Sequence, residues 1–192
     1  MLRMIRGCMV LMVACFALLA QAQNVEATKR MAESGNAAAQ NRLGAMYHQG
    51  QGVTQNYAEA VKWWRKAADQ GYAESQYFLG EMYQRGQGVT KNNGEAVKWT
   101  RKAAEQGFVG AQLSLANMYI NGLGVAENVA EAVKWTRKAA EQGLASAQYM
   151  LGFFYANGYG VEKNEAEAAN WYRKAAAQGD EKARQALETL KK

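Results

Sequence analysis

Residues 79–107 read LGEMYQRGQGVTKNNGEAVKWTRKAAEQG, and closely similar stretches stand 36 residues before and after them. Four tryptophans, four tyrosines and four glycines mark this period: Trp63, Trp99, Trp135, Trp171; Tyr47, Tyr83, Tyr119, Tyr155; Gly71, Gly107, Gly143, Gly179. A period between 20 and 50 residues is typical of stacked supersecondary units, none of which buries its apolar face alone. The chain is therefore predicted to be a solenoid, a class that offers an extended surface.

Aligning the chain with itself divides it into four full units and two partial ones. The full units cover residues 36–71, 72–107, 108–143 and 144–179. Residues 25–35 parallel the second half of a unit, and residues 180–192 parallel the first half and are predicted to form a C-terminal capping helix. Glu188 stands where Gly44 stands in the first full unit. A large charged residue at that position indicates that no further helix packs there, as a soluble stack requires at its end.

Each unit is predicted to hold two helices. In the first, Gln40, Leu43, Gly44 and Tyr47 share one helical face, and Gly50 ends the helix in the left-handed conformation. The second is expected to bury Ala60, Trp63 and Ala67, with Val61 or Ala68, and to end at Gly71. Tyr72, Phe108 and Leu144 follow these ends, where a Schellman motif places an apolar contact.

An asparagine precedes a glutamate by three residues at the start of every second helix. The four pairs are Asn56/Glu59, Asn92/Glu95, Asn128/Glu131 and Asn164/Glu167. This spacing predicts a capping box, in which the asparagine side chain accepts from the glutamate N–H and the glutamate carboxylate accepts from the asparagine N–H.

Glycines on the first helix and in the following loop have separate explanations. Gly44, Gly80, Ala116 and Gly152 lie on the predicted core face, where a larger side chain would hold the partner helix away. The Gly-x-Gly loops at 50–52, 86–88, 122–124 and 158–160 resemble phosphate-binding loops. Because no strand precedes them and no Gly-Lys-Ser/Thr follows, helix termination is the interpretation.

Residues 1–22 are predicted to be a secretory signal peptide. Arg3 and Arg6 form a basic start, Met9 to Ala20 an apolar run too short to span a bilayer, and Ala20-Gln21-Ala22 a cleavage site. Lipoprotein processing at Cys15 and an uncleaved anchor are the alternatives. Cleavage lowers the formal net charge from +6 to +4 and removes both cysteines. A mature protein without disulfides must be stabilised by helix packing.

The stretch 79–107 resembles the Sel-one-like repeat, a relative of the tetratricopeptide repeats. The resemblance covers essentially everything after the signal peptide. It implies a right-handed, all-α solenoid of stacked helix-turn-helix units, ten short helices in total, and a scaffold or adaptor role, often secreted or periplasmic in bacteria. Some cysteine-rich secreted members bind or hydrolyse β-lactams, but they carry a cysteine pair in each repeat, and residues 23–192 contain no cysteine.

Few residues of this chain could perform catalysis. Residues 23–192 contain one histidine, His48, and no cysteine. They therefore supply no cysteine nucleophile and no zinc site of the Cys/His type. No serine is followed by lysine three residues later. We therefore predict no catalytic residue, no metal and no cofactor. The tryptophans are interpreted as core because of their apolar helical spacing.

The positions that differ between units are predicted to bind a partner. On the first helix they are 41, 42, 45, 48 and 49 and their equivalents, roughly opposite the recurring face. In tetratricopeptide stacks this face lines the concave groove, and its aromatic residues suggest contacts. The predicted partner-binding residues are Arg42, His48, Tyr77, Glu81, Gln84, Arg85, Asn117, Tyr149 and Phe153. Phe78, Leu113 and Met150 could instead fill the side of the stack.

The sequence thus predicts a secreted or periplasmic, non-catalytic adaptor for a protein or peptide, without a stable membrane span once mature. An envelope hydrolase or β-lactam-binding protein is one alternative. Another is a binder of an anionic surface polymer, through Lys62, Arg65, Lys66 and their repeats on the second helices. A charge of +4 falls short of the usual nucleic-acid footprint, so no nucleic acid is predicted as a partner.

Overall fold

The computed structural model describes residues 23–190, and the predicted signal peptide lies outside that range. Ten α-helices and no strand occur in the described part, as predicted. The first helix, α1, covers residues 23–33. The others are α2 (Ala37–Gln49), α3 (Tyr57–Asp69), α4 (Ala73–Arg85), α5 (Asn93–Glu105), α6 (Val109–Asn121), α7 (Val129–Glu141), α8 (Ala145–Asn157), α9 (Glu165–Ala177) and α10 (Glu181–Thr189).

Successive helices pack in sequence order. The most extensive contacts join the two helices of one unit, α2 with α3, α4 with α5, α6 with α7 and α8 with α9. The second helix of each unit then packs on the first helix of the next. Each unit therefore contacts mainly its neighbours, which is the arrangement of a solenoid.

The asparagine half of each predicted capping box is confirmed, and the glutamate half is wrong. The Oδ1 atoms of Asn56, Asn92, Asn128 and Asn164 accept hydrogen bonds of 3.0–3.1 Å from the backbone N–H three residues on. The asparagine N–H, however, donates to a tyrosine carbonyl at the end of the preceding helix, as Asn92 does to Tyr83 at 2.9 Å. Since that donor is already used, carboxylates such as Glu95 turn to the lysine one turn later, here Lys98 at 3.3 Å.

The helices end as predicted. The first helices stop at glycines in the left-handed conformation, such as Gly86 with φ 68°. The second helices end in Schellman motifs: the N–H of Gly107 donates to the carbonyl of Ala104 at 3.0 Å, and that of Phe108 donates to Ala103 at 3.1 Å. These bonds satisfy carbonyls that the helix leaves without an internal partner.

The core runs the length of the stack. Val61 and Ala68 are both buried, beside Ala60, Trp63 and Ala67. Since only one of these two was expected to be buried, the second helix buries a wider face than predicted. The tryptophan interpretation is confirmed, because Trp63, Trp99, Trp135 and Trp171 are all buried. Leucines and methionines of the first helices fill the space between the helix layers: Leu43, Leu79, Leu115, Leu151, Met46, Met82 and Met118.

The small residues of the first helix lie where two helices approach closely. A Cβ atom on Gly44 would lie 2.6–2.9 Å from three ring atoms of Trp64, and one on Gly80 would lie 2.5 Å from the Thr100 hydroxyl oxygen. Both distances are shorter than a van der Waals contact. The expectation of close approach at this position is thereby confirmed.

The second glycine of each Gly-x-Gly loop has a role beyond helix termination. Gly124 has a φ of 73°, and a Cβ atom there would overlap the carbonyl of Asn93 in the preceding unit. Gly88 meets Tyr57 in the same way, and a Cβ on Gly160 would lie 2.8 Å from the Val129 carbonyl. The interpretation as helix termination therefore holds for the first glycine, and the second lets each loop sit on the start of the previous second helix.

A column of buried glutamines joins neighbouring units. Nε2 of Gln112 donates to the carbonyl of Ala104 in the preceding unit at 3.3 Å, and its Oε1 accepts from Gln142 at 2.8 Å. Gln40, Gln76 and Gln148 make the equivalent pairs of bonds. Because a buried amide needs such partners, the glutamines fix the register between units.

Candidate functional site

The surface that differs between units lies on the first helices. We call it the groove face and define it by positions 41, 42, 45, 48 and 49 and their equivalents on α2, α4, α6 and α8. The recurring residues of these helices are turned into the core, as Leu79 and Gly80 are on α4. Two clefts open along the groove face, between successive first helices.

The polar cleft lies between α4 and α6 and has a volume of about 700 Å³. Side chains of both helices, of the loops that follow them and of the first residue of α5 line it: Tyr77, Glu81, Gln84, Arg85, Lys91, Asn93, Gly110, Leu113, Ser114, Asn117 and Leu123. Charged and amide side chains predominate among these residues.

The charges of the polar cleft leave a cation available. Glu81 is paired with Arg85 at 2.6 Å. Lys91 is exposed, and none of the ion pairs formed by residues 23–190 involves it. Burial, and next the Glu81 carboxylate, raise the pKa of the Tyr77 hydroxyl above its ordinary value.

One buried acceptor in the polar cleft has no hydrogen-bond partner. Oδ1 of Asn93 is shielded from solvent and accepts no hydrogen bond from the described residues. Buried amide oxygens are normally satisfied, so this atom is an exception to the usual pairing of buried polar groups.

The apolar cleft lies between α6 and α8 and has a volume of about 510 Å³. Every residue that lines it is aliphatic, aromatic or methionine: Ile120, Val129, Tyr149, Met150, Phe153, Phe154 and Tyr159. Phe153 is 40% exposed and Tyr159 is 54% exposed, and their rings lie 5.8 Å apart. Exposed aromatic residues gathered in one concavity are typical of a binding surface.

The two clefts occupy equivalent places one repeat apart. Adding 36 to Gln84, Asn93, Leu113, Ser114, Asn117 and Leu123 gives Ile120, Val129, Tyr149, Met150, Phe153 and Tyr159. The backbone is thus the same and the lining chemistry differs. Sequence variation between repeats has produced a polar site beside an apolar one.

The structure brings together seven of the nine predicted partner-binding residues. Five line the polar cleft: Tyr77, Glu81, Gln84, Arg85 and Asn117. Tyr149 and Phe153 line the apolar cleft. Arg42 donates to Asn24 at 3.1 Å, and the His48 ring lies 5.3 Å from Tyr57 and 5.4 Å from Trp64, so these two lie apart from both clefts.

Two of the predicted residues also contribute to the packing of the stack. The Tyr77 ring lies 5.2 Å from that of Phe108, and Tyr149 lies 5.7 Å from Tyr172. Both are half-buried. Tyr77 and Tyr149 therefore pack within the stack as well as lining a cleft, whereas Asn117 and Phe153 are exposed.

Several residues that line the clefts were not among the predicted partner-binding residues. Lys91, Leu123 and Tyr159 lie in loops after the first helix, and Asn93 and Val129 begin second helices. These positions also differ from one repeat to the next, so the signal that identified the helix positions was present. These residues lie outside the first helix, to which the predicted binding positions are confined.

The basic residues of the second helices are engaged within the stack. Arg65, Arg101 and Arg137 each donate to the hydroxyl of a tyrosine in the next unit at 2.5–2.9 Å. The ammonium groups of Lys66, Lys102, Lys138 and Lys174 lie 3.9–4.3 Å from the centres of the tryptophan rings. These cation–π contacts cover the outer edge of the core.

Within residues 23–190, no group of three or more His, Cys, Asp or Glu residues is placed to hold a metal ion. Among the same residues, no helix has the length and apolar character needed to cross a membrane.

A sequence model of the Sel1 repeat matches residues 37–72, 73–108, 109–144 and 145–180. A protective antigen of uropathogenic Escherichia coli with an SLR fold is 43% identical, with a TM-score of 0.86 over 88% of this chain. This chain spans only 36% of that antigen. A Sel1 repeat protein from Oxalobacter formigenes is 38% identical, with a TM-score of 0.81 over 91% of this chain and 73% of its own.

More distant similarity extends to an immunity protein of Pseudomonas aeruginosa. That protein is 28% identical, with a TM-score of 0.54 over 85% of this chain and 60% of its own. A comparison with curated proteins finds no match.

Proposed function

The chain belongs to the Sel1 repeat family, and we propose that it is an exported, non-catalytic adaptor that binds a protein or peptide partner along the groove face. Proteins of this family generally mediate protein interactions and are generally non-catalytic. The proposal is based on the two clefts, which lie at equivalent places one repeat apart and are lined by residues of different chemistry. The core tryptophans recur in every repeat, whereas the residues that line the clefts do not.

The test compares the groove face with the outer face, which we define by positions 62, 65 and 66 of the second helices and their equivalents. Mature protein is immobilised and exposed to an envelope extract of the source cells, and captured proteins are identified. We expect capture to be lost when Asn117 and Phe153 are both replaced by arginine, because both side chains are exposed on the groove face. Charge reversal of the outer-face residues Lys98 and Lys134 is the matched control. Capture that survives the groove substitutions and disappears with the outer-face substitutions would refute the proposal.

Export rests on residues 1–22. Ala20 and Ala22 are the small residues that flank the expected cut, so mature protein is predicted to begin at Gln23. The intact mass of the protein recovered from the envelope or the medium measures this. A species that retains residues 1–22, or one lipidated at Cys15, would contradict it.

The alternatives make different predictions. A hydrolase or β-lactam-binding protein would bind or turn over a chromogenic β-lactam. A polymer binder would show affinity that falls steeply with salt and depends on the second-helix lysines. Against the polymer binder, the recurring arginines and lysines already contact tyrosine hydroxyls and tryptophan rings. No comparable observation favours either alternative.

A further inference from the structure

We propose that the two clefts are adjacent subsites for one extended peptide of a partner protein. The peptide places a large apolar side chain in the apolar cleft and a carboxylate side chain about three residues away in the polar cleft. The inference rests on the proposed function and specifies the chemistry of the partner.

The apolar cleft fits a bulky apolar side chain. Its walls carry aliphatic, aromatic and thioether groups, and Phe153 and Tyr159 extend into solvent at its mouth. Covering these exposed rings removes apolar surface from water, which is the main favourable contribution at protein interfaces. The 510 Å³ volume accommodates a leucine, methionine or phenylalanine side chain.

The polar cleft fits an acidic side chain. Arg85 is engaged by Glu81, whereas the exposed Lys91 has no carboxylate partner among the described residues, so the cleft retains one unpaired cation. A carboxylate side chain of a peptide supplies the complement of the Lys91 ammonium group.

The repeat sets the spacing between the two side chains. Helices whose side chains touch lie about 8–10 Å apart. A Cβ atom on Gly110 of α6 would lie 3.7 Å from Cζ of the Tyr77 ring of α4, so side chains of successive first helices come into contact distance. An extended peptide rises about 3.3 Å per residue, so the same point in the next repeat is reached after about three residues. An apolar residue and an acidic residue at that separation therefore define the motif.

The test selects peptides from a random library displayed on phage against the mature protein. We expect enrichment of peptides that pair a large apolar residue with Asp or Glu about three positions away. Affinities are then measured for synthetic versions of an enriched peptide. Replacing its apolar residue by serine should weaken binding tenfold or more, and replacing its acidic residue by glutamine should weaken it several-fold.

Two variants borrow residues from equivalent positions of the neighbouring repeat. Asn117 is the equivalent of Phe153, and Glu127 is the equivalent of Lys91, so Phe153→Asn and Lys91→Glu use residues that this fold already holds. Phe153→Asn should remove the preference for the apolar residue and keep that for the acid. Lys91→Glu should weaken the acidic peptide about tenfold and leave its glutamine version nearly unchanged. Circular dichroism should show that both variants remain folded.

Three results would overturn the inference. Enrichment of no peptide motif would do so, as would peptides that bind the groove face without the apolar–acidic pair. If such peptides bind and Asn117→Arg abolishes their binding, the inference is refuted but the proposed function is supported. Self-association in sedimentation runs that disappears with Phe153→Asn would instead identify a second copy of the chain as the occupant. Capture of a partner that depends only on the outer face would refute the proposed function itself.

Discussion

At the scale of single residues, one position of the first helix that faces the second helix of the same unit is always glycine or alanine. The four residues at this position are Gly44, Gly80, Ala116 and Gly152. Gly44 faces Trp64, Gly80 faces Thr100 and Gly152 faces the Tyr172 ring, with 2.7 Å from two ring carbons to a Cβ placed on Gly152. The partner residue differs in size from unit to unit, and the absence of a side chain on the first helix keeps the helices close in all three. Burial raises the pKa of Tyr172 to about 12, in keeping with its tight enclosure.

The nature of the partner side chain decides how well a methyl group is tolerated. Gly44→Ala should destabilise the protein by about 2 kcal/mol or more, because three atoms of the rigid Trp64 ring would have to move. Gly80→Ala should change the free energy of unfolding by less than about 1 kcal/mol. The Thr100 hydroxyl can rotate away, and alanine gains up to about 1 kcal/mol in helix propensity. The added Cβ would also lie 3.1 Å from the Ala96 carbonyl oxygen and 3.3 Å from the Thr100 nitrogen, so the two helices must separate by a few tenths of an ångström. Ala116, the natural equivalent, is fully buried beside a threonine-bearing helix.

Urea denaturation of the two variants measures these effects. Gly80→Leu serves as the positive control, since its larger side chain cannot be accommodated by rotation of one hydroxyl. Equal destabilisation by Gly44→Ala and Gly80→Ala would mean that the partner side chain does not decide the cost of the added methyl group.

At the scale of elements, contacts between neighbouring helices and loops decide features that one helix alone does not. The Asn92 N–H donates to the Tyr83 carbonyl, the Gln112 amide bridges two units, and Gly124 lies against the first residue of α5. Each of these links joins an element to a neighbour rather than to itself. They make the loops and helix ends part of the packing.

Two glycines with positive φ should therefore respond differently to the same substitution. Gly124→Ala should destabilise the protein by about 3 kcal/mol or more, because it combines a left-handed conformation with overlap of the Asn93 carbonyl. Gly143→Ala meets nothing within 4 Å, so its cost is the conformational one alone, about 1–2 kcal/mol. Thermal melts of both variants test the difference. Similar losses of stability would mean that the contact with Asn93 is unimportant.

The same contacts explain where sequence-based prediction succeeded. Helix type, asparagine caps and the tryptophan core followed from periodicity, because each depends on residues of one helix and its cap. The missing glutamate half of the capping box depends on a bond to the preceding helix of the same unit, and the close approach of Gly124 depends on the preceding repeat, and periodicity specifies neither contact. The cleft residues Lys91, Asn93 and Tyr159 were missed although their positions vary between repeats, because they lie outside the first helix.

At the scale of the whole molecule, the residues that recur lie mainly in the core, and the residues that differ between units lie mainly on the groove face. The tryptophans, the glutamines and most alanines of the core recur in every unit, and the outer edge is covered by lysines over tryptophan rings. The groove face carries different residues in each unit. If the proposed function holds, substituting an exposed groove-face residue should alter partner binding and leave stability nearly unchanged, and a substitution in the core should lower stability.

Trp99→Ala and Phe153→Asn form a matched pair for this separation. Trp99 is 5% exposed and lies under the Lys102 ammonium, so its removal should cost about 3–5 kcal/mol of stability through a core cavity. Phe153 is exposed, and its replacement should change stability by less than about 1 kcal/mol. Chemical denaturation measures both. A large loss of stability with Phe153→Asn would show that the apolar cleft belongs to the core.

The claim that the groove face is the partner-binding surface is tested most directly by photo-crosslinking in the source cells. A photoreactive phenylalanine analogue is placed at Asn117 or Phe153 on the groove face, and at Lys98 or Lys134 on the outer face. We expect light to produce a discrete adduct with a partner protein from positions 117 and 153, and none from positions 98 and 134. Adducts from positions 98 and 134, with none from 117 and 153, would contradict the claim.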